Sequence, residues 1–308
     1  MIKTSVVITS YNRREEVVRL LQCFLKWITK NPLEIILVDN ASTDGTVEYV
    51  KKHFPQIYLI INERNELAVR ARNQGYKAAT GKYILSIDSD NYFTNDFLSN
   101  LIKEMENDSQ VGMVGPLMLY RKYPNKIFFA GADISLTSSL THFDYLFSDC
   151  RKVQLYKKFT GHIPNCFLFK RKILSEIGYM DEDYIMSYGE SDFAEKIKKA
   201  GYKILFSPQS IIYHDAPLLA EEKPTTCGFR STMRAYFFGR NRIIFMKKNA
   251  GIANFILFSL FINPVIFIFY LFNLMYYQQF NLLKYYFLGY FDGILFVFFN
   301  RKHERGFG

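Results

Sequence analysis

The chain lacks the sequence marks of several common enzyme classes. No Gly-x-Gly-x-x-Gly fingerprint follows its first apolar run, and it has no Walker lysine motif. These absences exclude the usual dinucleotide-dependent dehydrogenase and the P-loop enzyme. The four cysteines, Cys23, Cys150, Cys166 and Cys227, show no paired spacing. They form neither a disulfide framework nor a zinc pattern. The opening residues turn polar too soon to read as a signal peptide. A reducing, cytoplasmic compartment is the expectation from both features. Internal repeats and low-complexity linkers are also missing.

Charge is absent where a soluble domain normally carries it. No acid occurs between Arg230 and Lys248, a stretch with six basic residues: Arg230, Arg234, Arg240, Arg242, Lys247 and Lys248. No charge of either sign occurs from Asn249 to Leu283. Lys284 and Asp292 are the only charges before Arg301, after which Lys302 and Arg305 follow. The uncharged run exceeds the roughly 20 residues that cross a bilayer core. The net charge of +10 does not point to nucleic acid, because the basic stretch lacks a recognised binding fold and adjoins an apolar run.

What is present begins with alternation. Apolar strand-like runs at 5–9, 34–38, 57–61 and 83–87 alternate with helical patterns at 15–29, 46–53, 67–79 and 96–106. Thr43 or Asp44 is placed to cap the second helix. Strand–helix alternation predicts an α/β fold with a mostly parallel, Rossmann-like sheet and helices on both faces. From Met113 to Thr160 the pattern reads as short strands and loops. A short helix at 173–177, an amphipathic helix at 191–200 and strands at 202–206 and 210–213 follow. The organisation predicted is a catalytic domain over 1–225, a basic amphipathic connector over 226–250 and a membrane-associated helical segment over 251–308.

Several residues stand where an open sheet binds ligands, beyond the carboxyl ends of its strands. Asp88-Ser89-Asp90 closes the fourth strand. Two carboxylates at this spacing suit a divalent cation with a diphosphate, and the same residues also serve as turns and caps. Asp39 follows the second strand, where it accepts from a ribose or base or simply shapes the turn. Arg72 is either a forked donor to phosphate or base or a solvated surface charge. Glu190 and Asp192 open a helix, either as favourable charges on its dipole or, for Glu190, as a proton acceptor. His214 follows a strand as a metal ligand or a hydrogen-bonded structural residue.

Taken in order, Ser5-Val-Val-Ile-Thr-Ser-Tyr-Asn12, Val38-Asp-Asn-Ala-Ser-Thr-Asp-Gly45, Ala71-Arg-Asn73, Asp88-Ser-Asp90 and Gly189-Glu-Ser-Asp192 before Gly201-Tyr-Lys203 resemble the family 2 glycosyltransferases of the GT-A fold. The resemblance covers about residues 3–250. Ile127–Asp133, Phe169–Arg171, Ile177–Glu182 and Tyr236-Phe-Phe-Gly-Arg-Asn241 resemble the rhamnosyltransferase-like branch.

The resemblance implies that Thr9, Tyr11, Asp39, Arg72 and Asp88 bind a nucleotide-diphosphate sugar. It implies that Asp88 and Asp90 hold Mg²⁺ or Mn²⁺, and His214, by its place beyond a strand end, is the candidate for a further ligand. It assigns the base to Glu190, with Asp192 as the alternative, and it implies inversion at the anomeric carbon. A Gln-x-x-Arg-Trp motif, typical of processive synthases, is absent, so transfer of a single sugar is expected.

In the tail, Ala253 to Tyr277 is long enough to span a bilayer, with a kink expected at Asn263-Pro264. Phe280 to Phe299 is a candidate second span. Flanking basic clusters would place both ends in the cytoplasm. The alternatives are helices lying in the interface and a buried interface between copies of the chain. The function expected is an inverting, metal-dependent glycosyltransferase at the cytoplasmic membrane face. It would transfer one sugar to a hydroxyl of a lipid-linked or cell-surface glycan. A polyprenyl-phosphate glycosyltransferase, a sugar-phosphate nucleotidyltransferase and a non-catalytic membrane scaffold are the competing readings.

Overall fold

The computed structural model describes residues 4–28, 32–216, 229 and 231–300. Cys227 and the basic residues Arg230, Arg301, Lys302 and Arg305 lie outside the described residues. The strands are β1 (Thr4–Ser10), β2 (Leu33–Asp39), β3 (Tyr58–Ile61), β4 (Tyr83–Asp88), β5 (Asn91–Tyr92) and β6 (Val111–Tyr120), then β7 (Ile127–Phe129), β8 (Ala132–Ile134), β9 (Thr141–Phe143), β10 (Lys158–Phe159), β11 (Cys166–Lys170) and β12 (Lys203–His214). The helices are α1 (Arg14–Trp27), α2 (Thr46–His53), α3 (Leu67–Ala78), α4 (Phe97–Asn107), α5 (Ile173–Ile177) and α6 (Gly189–Lys199), then α7 (Thr232–Asn249), α8 (Ile252–Leu257), α9 (Asn263–Tyr276) and α10 (Phe280–Phe299).

Two compact units make up the chain. The first comprises Met1–Asp133, Phe143–Glu182 and Phe193–Ala216; the second comprises Ile134–His142, Asp183–Asp192 and Pro217–Gly308.

The first unit contains a ten-stranded sheet. Its main order is β10-β12-β6-β11-β4-β1-β2-β3, with β5 beside β12 and β7 beside β6. The block β4-β1-β2-β3 is parallel throughout, as the strand–helix alternation predicts. Beyond it the sheet is mixed. β11 lies antiparallel to both β4 and β6, whereas β6 and β12 pair in parallel. The residues between β6 and β11 supply no long crossover helix, and without one an antiparallel neighbour is the accessible pairing.

Apolar runs explain the central strands. Val6, Val7 and Ile8 are almost wholly buried, as are Ile36, Leu37 and Val38. Each such side chain contributes roughly 1.5–3 kcal/mol on burial. Helix α3 rests on β1 and β2, and Gly75 permits the close approach. A Cβ there would stand 2.3 Å from Val7 Cγ1.

The structure differs most from the sequence pattern at β6. All ten of its residues are buried, although the stretch contains Gly112, Gly115 and Pro116. Gly115 is needed because a Cβ would meet Ile163 Cγ2 at 2.4 Å. Pro116 has no N–H for a ladder, and it pairs with Ser207 where the register jumps to Ile211. The bulge on β12 absorbs the missing donor. It also makes one strand of the two short runs expected around 202–213.

Asp44 does not cap α2 in the usual way. Gly45 is the N-cap residue, at φ 80°. Asp44 Oδ1 instead accepts from Thr46 N at 3.1 Å, and Asp44 Oδ2 accepts from Arg14 N at 2.9 Å.

In the second unit, α7 packs along α10. A Cβ on Gly289 would stand 2.0 Å from Tyr236 O, so the helices touch backbone to backbone there. Asp292, the charge that interrupts the second apolar run, is buried and accepts from Tyr236 Oη at 2.8 Å. Helix α8, a π-helical turn over Phe258–Ile262 and α9 form one 25-residue helix, Ile252–Tyr276. Pro264 follows that turn directly, and a wider turn relieves its clash with the preceding carbonyls. This helix and α10 are both long and apolar enough to cross a membrane. Leu260, Phe261, Val265 and Phe272 on the first are each more than 60% exposed.

Candidate active site

The parallel register brings the first site residues together. Thr9 pairs with Asp88 across β1 and β4, and Ser10 pairs with Asp39 across β1 and β2. Thr9, Asp39 and Asp88 therefore end three adjacent strands at one edge of the sheet, where open α/β sheets bind ligands. Tyr11 is exposed just beyond β1.

Two loops at this edge are laced together. Asn12 Oδ1 accepts from Thr43 N at 2.8 Å, and Asn12 N donates to Ser42 Oγ at 2.9 Å. Asp39 is fully buried. Its Oδ2 accepts from Ser42 N at 2.8 Å, while Oδ1 has no partner among the described residues. A buried carboxylate oxygen without a donor carries a large desolvation penalty, which a donor from a bound molecule would relieve.

Arg72 is buried on α3, and its Nη2 donates to Asp88 Oδ1 at 2.5 Å. Its neighbour Asn73 ties down a different segment. Asn73 Nδ2 donates to Met180 O at 2.9 Å, and Met180 N returns a bond to Asn73 Oδ1 at 3.1 Å.

Asp90 meets His214 because β12 ends beside β5, where His214 pairs with Asn91. Asp215 N donates to Asp90 O at 2.9 Å and closes the corner. His214 Nδ1 stands 3.4 Å from Asp90 Oδ1. Both atoms are buried, and among the described residues neither has a further hydrogen-bond partner. Arg13 Nη1 lies 3.5 Å from Asp90 Oδ2. Burial works against the Asp90 carboxylate, but His214 and Arg13 outweigh it and hold its pKa below the usual range. Asn165 Nδ2 lies 3.3 Å from His214 Nε2.

The donor set fits a hard divalent cation. Two ligands at right angles, each about 2.1 Å from Mg²⁺, stand about 3 Å apart. The facing Asp90 and His214 atoms are close to that separation. Among the described residues no three His, Cys, Asp or Glu side chains form a ready-made cluster. Asp88, expected as a ligand, is engaged by Arg72. A cation on Asp90 and His214 would draw its remaining oxygens from water or ligand phosphates, as Mg²⁺ commonly does.

Glu190 and Asp192 belong to the second unit. Asp192 is buried, and its Oδ1 accepts from Asn249 Nδ2 at 2.8 Å and from Tyr184 Oη at 3.2 Å. Glu190 is half-buried in the first turn of α6. Two residues around the Asp90–His214 pair give no sequence signal: Arg13 and Asn165. Their partners lie far away in the chain. A cavity of about 1220 Å³ opens at the other end of β4, lined by Lys77, Lys82, Lys170, Arg171 and Lys172. It contains none of the predicted site residues.

The family model described as glycosyl transferase family 2 matches residues 5–178. The uncharacterized glycosyltransferase YwdF of Bacillus subtilis (strain 168) is 30% identical over 221 residues, which cover 68% of this chain and 74% of that protein. The UDP-Glc:alpha-D-GlcNAc-diphosphoundecaprenol beta-1,3-glucosyltransferase WfaP of Escherichia coli is 35% identical over 105 residues, covering 34% of this chain and 41% of WfaP. Among solved structures, the mannosyltransferase PcManGT from Pyrobaculum calidifontis in complex with GDP-Man and Mn²⁺ matches with a TM-score of 0.56 at 17% identity. That match covers 95% of this chain and 87% of PcManGT. Motif order, fold, family match and the extent of the YwdF similarity agree: the chain belongs to glycosyl transferase family 2 and is a glycosyltransferase.

Proposed function

We propose that the protein transfers one sugar from a nucleotide-diphosphate sugar to a hydroxyl of a lipid-linked glycan at the cytoplasmic membrane face. One observation carries the metal-dependent part of this reading: Asp90 Oδ1 and His214 Nδ1 are buried 3.4 Å apart, with no further hydrogen-bond partner among the described residues. Asp90 and His214 would hold Mg²⁺ or Mn²⁺. When bound, such an ion neutralises charge on the leaving diphosphate. The Mn²⁺ and GDP-Man in the PcManGT structure support this assignment.

The chain's own residues supply the rest. Asp39 Oδ1 accepts a donor from the nucleotide, with Thr9 and Tyr11 beside it on the sheet edge. Arg72 fixes the orientation of Asp88 so that its free oxygen faces the donor sugar. Glu190 removes the proton from the acceptor hydroxyl, which then attacks the anomeric carbon in line. Asp192, whose Oδ1 accepts from Tyr184 and Asn249, is the alternative base.

The two apolar helices support membrane attachment, and the lipid diphosphate named for WfaP supports a lipid-linked acceptor. The division into a catalytic domain over 1–225, a connector over 226–250 and a membrane segment over 251–308 belongs to this proposal.

The test is nucleoside diphosphate release by the full-length protein from a panel of nucleotide sugars, with Mn²⁺, with and without native lipid extract. Release from one donor, raised by lipid and lost in Asp90→Ala, is the expected result. Equal release by Asp90→Ala would overturn the metal assignment. Release indifferent to lipid would overturn the acceptor assignment.

A further inference from the structure

The segment before α6 has an unusual backbone. Ile185, Ser187 and Tyr188 all have positive φ, at 40°, 62° and 61°. Side-chain-bearing residues avoid this region, and a β-branched isoleucine avoids it most. A run of such residues persists only where its surroundings over-determine it, and such strain clusters at functional sites. Two residues after Tyr188 comes Glu190.

The restraint comes from α7. Asn241 is fully buried, and its Nδ2 lies within donating distance of three carbonyls: Tyr184 O at 2.8 Å, Met186 O at 2.6 Å and Ser187 O at 3.2 Å. The amide has two protons, so the three acceptors share them. Arg240 Nη1 holds the other amide atom, Asn241 Oδ1, at 2.7 Å and also donates to Asp183 O at 2.7 Å. Lys248 Nζ donates to Asp183 Oδ2 at 2.8 Å. About two turns beyond Asn241 on α7, Asn249 holds Asp192. Glu190 thus stands between two pinned points, the 184–187 carbonyls and the Asp192 carboxylate, and α7 makes both attachments.

We infer that Asn241 is a positioning residue for the proton acceptor: it holds Ile185, Ser187 and Tyr188 in their left-handed conformations and so aims Glu190. This rests on the reading of Glu190 as the base. Asn241 touches no reacting atom. Its amide is needed as a donor, so its near-isosteric acid should fail where the amide works.

The experiment compares Asn241→Asp, Glu190→Gln and the double variant in the full-length protein. It measures nucleoside diphosphate release with UDP-glucose, or with the panel donor giving most release, plus native lipid extract. Asn241→Asp is expected to lower kcat at least tenfold and leave the donor KM within twofold. In the Glu190→Gln background the same change is expected to cost less than twofold, since residues acting as a unit are not additive. Ser187→Gly, which accepts positive φ freely, should restore part of the kcat lost in Asn241→Asp.

Full multiplicative loss in the double variant, or an unchanged kcat in Asn241→Asp, would sink the positioning role while leaving the base reading intact. Near-full turnover by Glu190→Gln would instead sink the base reading, and the inference with it. Hydrogen exchange of the intact chain gives a readout independent of turnover. Asn241→Asp should speed exchange of the 184–190 amides at least tenfold and leave the β1 and β4 amides unchanged. Unchanged exchange at 184–190 would also overturn the inference.

Discussion

Arg72 Nη2 donates to Asp88 Oδ1 at 2.5 Å, joining α3 to the carboxyl end of β4. Arg72 is buried, whereas the Asp88 side chain remains about a quarter exposed. The guanidinium therefore acts through the carboxylate it orients. Replacing it with methionine keeps most of the volume and removes the charge-assisted bond. Arg72→Met is expected to raise the donor KM by about tenfold, equivalent to about 1.4 kcal/mol, with a smaller change in kcat. Steady-state kinetics on the donor identified by the panel check this. An unchanged KM would show that Asp88 needs no such support.

The Asp90–His214 pair makes a separate prediction about metal. Asp90→Asn and His214→Phe should each weaken Mn²⁺ binding by at least about tenfold, the lower end of losses seen when metal-site residues are altered. Titration calorimetry with Mn²⁺ in the presence of nucleoside diphosphate measures this directly. Fold content by circular dichroism should be unchanged in both variants. If His214→Phe bound Mn²⁺ as well as the parent, Asp90 and ligand oxygens would hold the ion without the imidazole.

His162 predicts a pH dependence of stability. It is buried, its Nδ1 has no hydrogen-bond partner among the described residues, and burial, with a lesser contribution from Lys198, lowers the imidazole pKa to about 4. The folded chain binds this proton more weakly than the unfolded chain, whose histidine titrates near 6.5. Stability from this group is complete above about pH 6.5 and is lost as the pH falls through 4. The loss amounts to about 3 kcal/mol. Denaturant unfolding at pH 7 and pH 4 should show a smaller acid penalty in His162→Gln than in the parent. Equal penalties would mean that His162 is not the group responsible.

Gly289 and Gly251 form a matched pair for testing the contact between α7 and α10. A Cβ at Gly289 would meet Tyr236 O at 2.0 Å, whereas among the described residues nothing lies within 4 Å of one at Gly251. Gly289→Ala should destabilise by about 1–3 kcal/mol, the usual range for overpacking. Gly251→Ala should be close to neutral. Thermal unfolding in detergent gives both values. Equal midpoints for the two variants would show that the helices separate without cost.

Much of the site was legible before the structure because its residues stand at strand ends. Asp39 and Asp88 follow short apolar runs that read as buried strands, and parallel pairing of neighbouring strands places such residues on one edge. The C-terminal helices were equally legible from the uncharged run. β6 was not, because glycine and proline mask its strand character and only Ile163, Tyr202 and the β12 bulge explain them. Glu190 and Asp192 were both legible as acids opening a helix, whereas the bonds from Tyr184 and Asn249 to Asp192 Oδ1 were not, because those partners come from other segments.

Sequence alone therefore determined the family, the order of strands and helices through β4, and the residues that end those strands. Each of these depends on local pattern: periodicity, turn chemistry and the spacing of carboxylates. Tertiary structure alone decided the antiparallel placement of β11, the meeting of Asp90 with His214, the capture of Asp88 by Arg72 and the grip of Asn241 on the 184–187 carbonyls. These contacts join residues far apart in the chain. Their geometry is set by strand register and helix packing, which no local pattern encodes.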